Sequence, residues 1–394
     1  MRLTARHTLY ASYLGYITQA IINNLPALLF VAFQRDFGLS LERISLLISF
    51  NFGTQILVDF LAGKYVDHIG YRPCIVSAHV FSALGLAGLC VLPRMLPAPF
   101  FGILIAMVLN AVGGGIIEVL VSPIVESLPG DEKAGAMSLL HSFYCWGHMG
   151  VVLLSTLYFA LLGTARWQTL PLLWALVPAA NAVLFAFVPM DVSSVQGDSM
   201  PIARLLRSRV FWLLFLLMIC SGASEQGMSQ WSSLFAETGL RVSKTMGDLL
   251  GPCAFAALMG LARLFYGVAG SRIDLRAALR VSSILCIASY LLAAFAPHPV
   301  LALAGCALCG LSVGLMWPGT FSLATQTYPQ GGTAMFALLA LAGDVGCAGG
   351  PAVVGLVSSA AGGLLEAGLL GAIVFPALLL ISLRLLLTRG RRGA

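Results

Sequence analysis

The chain has 394 residues, of which 59% are hydrophobic and only 10% are charged, and its mean hydropathy is +0.93. A soluble domain of this length does not carry so apolar a composition, which excludes the soluble enzymes and the soluble nucleic-acid-binding proteins. The formal net charge of +6 requires no nucleic-acid partner, because a basic rim at a membrane surface accounts for it. The sequence therefore predicts an integral membrane protein whose main partner is the lipid bilayer.

Apolar runs long enough to cross a bilayer recur along the whole chain. A transmembrane helix needs about 20 apolar residues, and short polar breaks separate runs of that length throughout the sequence. The twelve predicted spans are residues 8–33, 41–62, 74–92, 98–126, 134–162, 167–189, 210–236, 246–270, 277–296, 299–327, 332–359 and 362–388. The predicted fold class is thus an all-α membrane protein.

The distribution of basic residues predicts the orientation of these spans. With the N-terminus placed inside, sixteen of the 22 lysines and arginines fall in inner segments and six in outer loops. The outer six are Arg35, Arg43, Arg94, Arg166, Arg241 and Lys244. Because basic residues concentrate on the cytoplasmic side, we expect both termini in the cytoplasm and the chain in the inner (plasma) membrane as a monomer.

The longest polar break divides the chain near its midpoint. It reads "DVSSVQGDSMPIARLLRSR" and covers residues 191–209, which predicts a cytoplasmic linker between a six-helix bundle in residues 1–190 and another in residues 210–394. The stretch "GDEKAGAMSLL" after the fourth span is weakly repeated as "PQGGTAMFALL" after the tenth. Transporters are commonly built from such repeats, related by a pseudo-two-fold axis, with the solute site where the halves meet.

A glycine-rich charged motif follows the second span. The stretch "GKYVDHIGYRP" has the spacing GxxxDxxGxR, formed by Gly63, Asp67, Gly70 and Arg72. It resembles the signature loop of the major facilitator superfamily, which implies a tight turn and a charge network that holds one conformation until it is broken. The related stretch "GVAGSRIDLR" in the second half keeps Gly267 and Arg276 but has Ser271 where an acid is expected.

The fourth span contains a carboxyl group within "GGGIIEVLVSP", residues 113–123. Gly114, Glu118 and Ser122 lie four residues apart and share one helix face. An acid at bilayer depth costs at least ~2.5 kcal/mol, so such residues face a bundle interior or an aqueous cavity. Glycines allow close helix approach. We therefore expect Glu118 to line a cavity and to carry a proton, with a purely structural hydrogen bond as the alternative.

Three separate segments resemble the fucose:proton symporter family of the major facilitator superfamily. They are the stretch around Glu118, the stretch "LLHSFYCWG" (139–147) and the stretch "MWPGTFSL" (316–323). The matching residues are Glu118, Pro123, His141, Phe143, Gly147, Trp317, Pro318, Phe321, Ser322 and Leu323. The members of that family include permeases for fucose, glucose and galactose. The resemblance therefore implies that the chain moves a small sugar or polyol together with a cation.

The first span departs from that family. The family's sugar symporters carry a second protonatable acid near an asparagine pair, whereas "AIINNLPALLF" keeps Asn23 and Asn24 without an acid beyond them. Glu225 in the seventh span and Asp344 in the eleventh are the candidates that replace it. The alternatives are interhelical hydrogen bonding for both and, for Asp344, a helix break between flanking glycines.

Polar and aromatic residues within the spans predict the solute site. Amides and carboxylates bind hydroxyl groups, and an aromatic ring packs on the apolar face of a sugar. The predicted solute-binding residues are Gln19, Asn23, Asn24, Glu118, His141, Tyr144, Glu225, Gln226, Gln230, Trp231 and Trp317. The predicted coupling residues are Glu118, Glu225 and Asp344.

Several function classes lack their motifs in this sequence. There is no GxxxxGK[ST] stretch for ATP, no HExxH or GxSxG motif, and no metal-ligand spacing among the nine cysteines, so we expect no cofactor, no metal and no enzymatic activity. Three alternatives stay open: a drug or metabolite:proton antiporter, sodium in place of the proton, and a membrane-embedded enzyme that uses His141 with Glu118. The fifth span lacks the GxxxGP run of drug antiporters.

Overall fold

The computed structural model describes residues 3–128, 133–190, 200, 202–269 and 274–390. The described residues form helices joined by short turns, and twelve stretches of them are long and apolar enough to cross a membrane. These stretches are Ala5–Phe37, Leu41–Ala62, Tyr71–Met95, Pro99–Val125, Ser142–Leu162, Thr169–Phe187, Arg209–Gly239, Lys244–Tyr266, Leu275–Phe295, Pro299–Thr327, Met335–Ala360 and Leu365–Leu386. Each coincides with one predicted apolar run, so the all-α membrane fold with twelve spans is confirmed.

The chain divides into two compact units, residues 1–195 and residues 196–394, and each unit contains six of the spans. In the N-terminal unit every span is one continuous helix. The helices are α1 (Ala5–Phe37), α2 (Leu41–Ile69), α3 (Tyr71–Met95), α4 (Pro99–Glu126), α5 (Lys133–Leu162) and α6 (Thr169–Phe187).

Several spans of the C-terminal unit are interrupted. Its helices are α7 (Ile202–Leu206), α8 (Arg209–Ser229), α9 (Ser232–Leu234), α10 (Lys244–Asp248), α11 (Ala254–Ala269), α12 (Leu275–Phe295), α13 (Pro299–Val313), α14 (Met316–Thr327), α15 (Gly332–Ala360), α16 (Leu365–Ala372) and α17 (Val374–Gly390). The segments Phe235–Gly239 and Leu249–Cys253 are π-helical. The tenth span breaks between Val313 and Met316, and Pro318 lies in the first turn of α14, where a proline is tolerated because its missing N–H has no helical acceptor there.

The charged motif after the second span is largely helical, which corrects the prediction of a loop. Helix α2 continues to Ile69 and α3 begins at Tyr71, so the turn consists of Gly70 alone, at φ +97°. Only glycine adopts such a backbone conformation without strain. Arg72 donates from Nη1 to the carbonyl oxygens of Phe185 at 3.0 Å and Ala186 at 2.7 Å, which ties the start of α3 to the last turn of α6.

Small residues join α8 and α15 in the C-terminal unit. A Cβ atom added at Gly346 would overlap the carbonyl oxygen of Ile219 and lie 2.8 Å from the backbone nitrogen of Ala223. One added at Gly350 would lie 2.7 Å from the Cα atom of Ala223. Helix α15 continues through Asp344 without a break, so the helix interruption considered for that position is wrong. The glycines serve close packing instead.

Candidate functional site

Polar side chains of the N-terminal unit converge from four helices. We call this group the N-terminal polar cluster. It consists of Tyr16, Gln19, Asn23 and Asn24 on α1, Asn51, Gln55 and Asp59 on α2, Glu118 and Ser122 on α4, and Tyr144 on α5. Many of its members are four residues apart on their helix, a spacing that places them on one face. The cluster therefore arises from the helical periodicity of a few polar positions in apolar spans.

Glu118 is bound by Gln19 from the first span. The amide Nε2 of Gln19 donates to Oε2 of Glu118 at 2.5 Å, and Gln19 is only 4% exposed. One turn further along α4, the hydroxyls of Ser122 and Tyr16 are 3.3 Å apart. The face of α4 that the sequence assigned to Glu118 and Ser122 therefore packs on α1. The partner of the carboxylate on α1 is a neutral amide.

The two adjacent asparagines of α1 have different partners. The Oδ1 atom of Asn23 accepts from Nε2 of Gln55 at 2.9 Å and from Nδ2 of Asn51 at 3.4 Å, both on α2. Asn24 donates from Nδ2 to the carbonyl oxygen of Ala20 at 2.9 Å and to the hydroxyl of Tyr144 at 3.4 Å. The pair thus links α1 to α2 on one side and to α5 on the other.

The three consecutive glycines of α4 each face a different helix. A Cβ atom at Gly113 would overlap Ser82 on α3, one at Gly114 would lie 2.8 Å from Cδ1 of Ile22 on α1, and one at Gly115 would lie 2.9 Å from Oδ1 of Asp59 on α2. Any side chain at these positions would push one of the three neighbours away. The glycine run therefore allows α4 to pack at the centre of its unit.

Asp59 brings a second carboxyl group to the N-terminal polar cluster. One of its carboxylate oxygens lies within 4.8 Å of a carboxylate oxygen of Glu118. Both side chains are half-buried. The structure thus places two acids of neighbouring spans together in the unit where the sequence analysis expected only Glu118.

In the C-terminal unit, the predicted residue Glu225 is bound by an arginine. Its Oε2 atom lies 3.2 Å from Nη2 of Arg263, which projects from α11. Its other oxygen accepts from Nε2 of Gln226 at 3.5 Å, and Oε1 of Gln226 accepts from Gln230 at 3.0 Å. The polar stretch of the seventh span is therefore a hydrogen-bonded row that ends in an ion pair. We call these four residues the C-terminal polar cluster.

The two predicted tryptophans differ in their exposure. Trp231 is fully buried, and its indole nitrogen donates to the carbonyl oxygen of Pro351 at 3.1 Å. Trp317 is half-buried and lies across Gly343, where an added Cβ atom would be 2.8 Å from its Cζ2 atom. Asp344, which follows Gly343 in α15, is 4% exposed. Trp317 is the tryptophan of the two that has ring surface left for a ligand.

A further charged group joins the seventh and eighth spans. The Nζ atom of Lys244 lies 2.9 Å from Glu237 and 3.0 Å from Asp248, whose side chain is fully buried. Ser233 donates to the same aspartate at 2.6 Å. The charged side chains of Lys244, Glu237 and Asp248 and the hydroxyl of Ser233 thereby connect the ends of the two spans. The sequence analysis had identified only Lys244 here, as an outer-loop lysine.

For Gly63, Asp67 and His141 the structure describes the helical backbone alone, so the predicted roles of the Asp67 and His141 side chains lie outside the described part. The GxxxDxxGxR motif is therefore represented by Gly70 and Arg72, and the fifth-span contribution to the solute site by Tyr144.

The sequence analysis missed Asn51, Gln55, Asp59 and Arg263. A signal for the first three was present, because polar residues at 51, 55 and 59 are four apart within the apolar second span and so share one helix face. Arg263 was counted among the inner basic residues, whereas it lies within α11. No pattern in the sequence pairs it with Glu225.

Comparison with known proteins identifies the family. The model of the Major Facilitator Superfamily matches residues 12–351. The chain is 25% identical over 312 residues to the membrane protein MosC of Rhizobium meliloti, a match that covers 78% of this chain and 73% of MosC.

Solved structures of that superfamily share the fold. A variant of the Escherichia coli fucose:proton symporter FucP has a TM-score of 0.63 at 19% identity, covering 96% of this chain and 98% of FucP. A bacterial homologue of the human lysosomal transporter Spinster, inward-facing and unoccupied, has a TM-score of 0.76 at 15% identity, covering 98% of both chains. The chain belongs to the Major Facilitator Superfamily, and it is a multi-pass membrane protein of this superfamily of secondary transporters.

Proposed function

We propose that this transporter moves a small polar solute, a sugar or a polyol, by alternating access, with a proton as the coupling cation. The observation that carries the proposal is the N-terminal polar cluster, which gathers amides, hydroxyls and the Glu118 carboxylate on helices that are otherwise apolar. Polar groups inside membrane spans are costly, and where they occur they mark solute and ion pathways.

The amides of the cluster suit a ligand that carries hydroxyl groups. Oδ1 of Asn51 is buried and has no hydrogen-bond partner among the described residues. A hydroxyl group satisfies such an acceptor by donating to it, and satisfaction of a buried polar group is worth about 1–3 kcal/mol. Tyr144 is half-buried and supplies an aromatic surface in the N-terminal unit on which a sugar ring packs. In the C-terminal unit, Trp317 is half-buried as well. Trp231 we assign to packing, since its ring is fully buried.

Glu118 is the proposed carrier of the proton. Its partner Gln19 is an uncharged amide, and the carboxyl group is proposed to change protonation as its solvent access alternates. Glu225 has a permanently charged partner in Arg263, at 3.2 Å, and this positive charge favours the ionised carboxylate. We therefore assign Glu225 to solute positioning, while the coupling role of Asp344 stays a prediction.

The setting of the protein is part of the proposal. Both termini lie in the cytoplasm, the linker of residues 191–209 crosses that face, and the chain acts as a monomer in the inner (plasma) membrane. The excess of basic residues in the predicted inner segments supports this orientation. Arg72 binds the end of α6, and with Asp67 it is proposed to form the charge network that the GxxxDxxGxR motif implies.

The test has two stages. Thermal unfolding of the purified protein is first measured against panels of sugars, polyols, amino acids, nucleosides and drugs, because a ligand that binds the folded state stabilises it. The stabilising solute is then supplied to proteoliposomes with an inward proton gradient. We expect a sugar or polyol to stabilise the protein and to accumulate unchanged.

Other outcomes point to the alternatives. Stabilisation by drugs alone, with accumulation driven by the opposite gradient, would replace the proposal by a drug:proton antiporter. A chemically altered solute would indicate a membrane-embedded enzyme. Accumulation that follows a sodium gradient and ignores the proton gradient would replace the coupling cation.

A further inference from the structure

Two thiol groups of the C-terminal unit lie side by side inside the protein. The Sγ atoms of Cys286 on α12 and Cys309 on α13 are 4.0 Å apart, and both residues are fully buried. All nine cysteines of the chain are free thiols. The sulfur atoms of a disulfide are only about 2.05 Å apart, so these two thiols are in contact without being bonded. Neither of them belongs to the polar clusters described above.

The backbones of α12 and α13 approach each other closely beside this pair. Gly305 lies one turn before Cys309 on α13. A Cβ atom added at Gly305 would lie 2.6 Å from the backbone nitrogen of Ala293 and 2.8 Å from the carbonyl oxygen of Ser289, both on α12. A disulfide requires such a close approach, because the Cα atoms of bonded cysteines are about 4.4–6.8 Å apart. A bridge between Cys286 and Cys309 therefore requires rotation of their side chains and little movement of the helices.

The pair also contacts the seventh span and lies near the interruption of the tenth. The Sγ atom of Cys309 lies 4.0 Å from the carbonyl oxygen of Ser224 on α8, and the hydroxyl of Tyr290 on α12 donates to the same oxygen at 2.9 Å. The tenth span is interrupted between Val313 and Met316, one turn after Cys309. A covalent bond at Cys309 would thus hold the tenth span to the ninth next to its interruption.

We propose that Cys286 and Cys309 form an oxidation site, at which hydrogen peroxide converts the two thiols into a disulfide that locks the ninth span to the tenth. One thiol takes an oxygen atom from the peroxide, whose O–O bond breaks, and becomes a sulfenic acid with release of one water molecule. The other thiol then displaces a second water molecule from the sulfenic acid as the S–S bond forms. Two thiols and one peroxide thereby give one disulfide and two water molecules.

Burial of the pair gives the site its selectivity. Hydrogen peroxide is small and uncharged and so can pass between apolar helices, whereas glutathione is large and charged. Thiol–disulfide exchange requires direct access of the attacking thiolate to a sulfur atom. We therefore expect the disulfide to form in the folded protein and to resist reduction by glutathione until the protein unfolds.

The test is peptide mapping of the purified wild-type protein after exposure to hydrogen peroxide. The remaining thiols are alkylated in SDS, and the protein is digested with chymotrypsin, which cleaves at Tyr290 and Phe295 between the two cysteines. We expect a linked pair of peptides that dithiothreitol separates in SDS, together with a higher midpoint of thermal unfolding. Recovery of Cys286 and Cys309 without a link would overturn the proposal, and so would a link from Cys286 to Cys306.

Variants locate the site. Cys286→Ala and Cys309→Ala should each lose the linked peptides and the thermal shift, whereas Cys220→Ala, which removes another fully buried thiol, should keep both. Gly305→Ala should slow formation of the bond by about tenfold or more, because its methyl group pushes the two helices apart. Gly349→Ala, where a Cβ atom meets nothing within 4 Å, is the control and should be oxidised as the wild type is. Equal oxidation rates in the two glycine variants would contradict the geometry. If a variant fails to fold, the peptide map of the wild type still decides whether the bond forms.

Hydrogen exchange tests the locking of the tenth span. In the oxidised protein, the amide hydrogens of α13 and of the interruption before α14 should exchange more slowly than in the reduced protein, because the disulfide opposes local opening. Unchanged exchange in protein that carries the disulfide would contradict the lock. None of these measurements uses a solute or an ion gradient, so they are independent of the sugar assignment and of the coupling cation.

Discussion

Acids within the spans have different partners in the two units. In the N-terminal unit, Glu118 is bound by the neutral amide of Gln19 and has Asp59 within 4.8 Å. In the C-terminal unit, Glu225 is paired with the guanidinium of Arg263 at 3.2 Å. An arginine stays charged at any physiological pH and so favours the ionised form of its partner, whereas an amide carries no charge. The comparison separates a carboxylate that is bound by a fixed positive charge from one that is bound by an uncharged amide.

The two units also differ in the continuity of their membrane-spanning helices. The six spans of the N-terminal unit are continuous helices, while the seventh span is interrupted between α8 and α9, next to Trp231, and the tenth between α13 and α14, next to Trp317. Interrupted helices expose backbone groups, and in transporters they form parts of solute sites. In the C-terminal unit, an ion pair therefore occurs together with interrupted helices. In the N-terminal unit, the polar side chains project from continuous helices.

The largest expected effect is the loss of stability when the partner of Glu225 or of Glu118 is removed. Arg263→Met leaves the Glu225 carboxylate without its counter-charge and should destabilise the protein by about 3 kcal/mol. Gln19→Met removes one hydrogen bond to a carboxylate and should cost about 1.5 kcal/mol. The measurement is SDS-induced unfolding of the purified protein in mixed micelles.

The double variant Arg263→Met with Glu225→Met is the control for the first change. Because it removes both charges, it should recover most of the lost stability. Equal losses for Arg263→Met and Gln19→Met would break the comparison between the units.

Close packing of the seventh and eleventh spans gives the next effect. Gly346→Ala places a methyl group against the backbone of Ile219 and Ala223 and should destabilise the C-terminal unit by about 1–3 kcal/mol. Gly349→Ala, on the same helix, meets nothing within 4 Å and should be neutral or slightly stabilising, since alanine favours helices. Unfolding curves that do not separate these two variants would contradict the tight contact of α8 with α15.

The smallest effect compares related arginines of the two units. Arg72 donates to two carbonyl oxygens at the end of α6, whereas Arg276, the residue that the sequence pattern places at the related position, is exposed. Arg72→Ala should therefore cost about 1 kcal/mol and Arg276→Ala at most a few tenths. Thermal unfolding of both variants measures the difference, and a larger shift for Arg276→Ala would reverse this part of the comparison.

The spans were predictable because hydrophobic length alone determines them. Each of the twelve apolar runs became a span, and the structure corrected mainly the ends, as at Gly70, where two helices meet in one residue. Helix ends depend on caps and neighbouring elements, which composition does not encode. The contacts between side chains were harder to predict from the sequence. Glu118 stood out as an acid in an apolar run, but its neighbours Gln19 and Asp59 could be assigned only once α1, α2 and α4 were packed together.

The ion pair of Glu225 marks the limit of the sequence argument. The polar row from Glu225 to Gln230 was visible in one span, because residues four apart share a face. Arg263 lies in another span, and its direction depends on how α8 and α11 pack. The coupling role assigned to Glu225 from the sequence did not include this partner, and it stays a prediction.

The most direct test of the central claim is solute accumulation by Glu118→Gln in proteoliposomes. Glutamine keeps the size and the hydrogen bonding of the side chain but cannot carry a proton or a net charge. The account predicts that uphill accumulation driven by a cation gradient is lost while solute exchange without a gradient continues, and that Glu42→Gln, an exposed acid at the start of α2, behaves as the wild type. Accumulation by Glu118→Gln to the wild-type level would contradict the account.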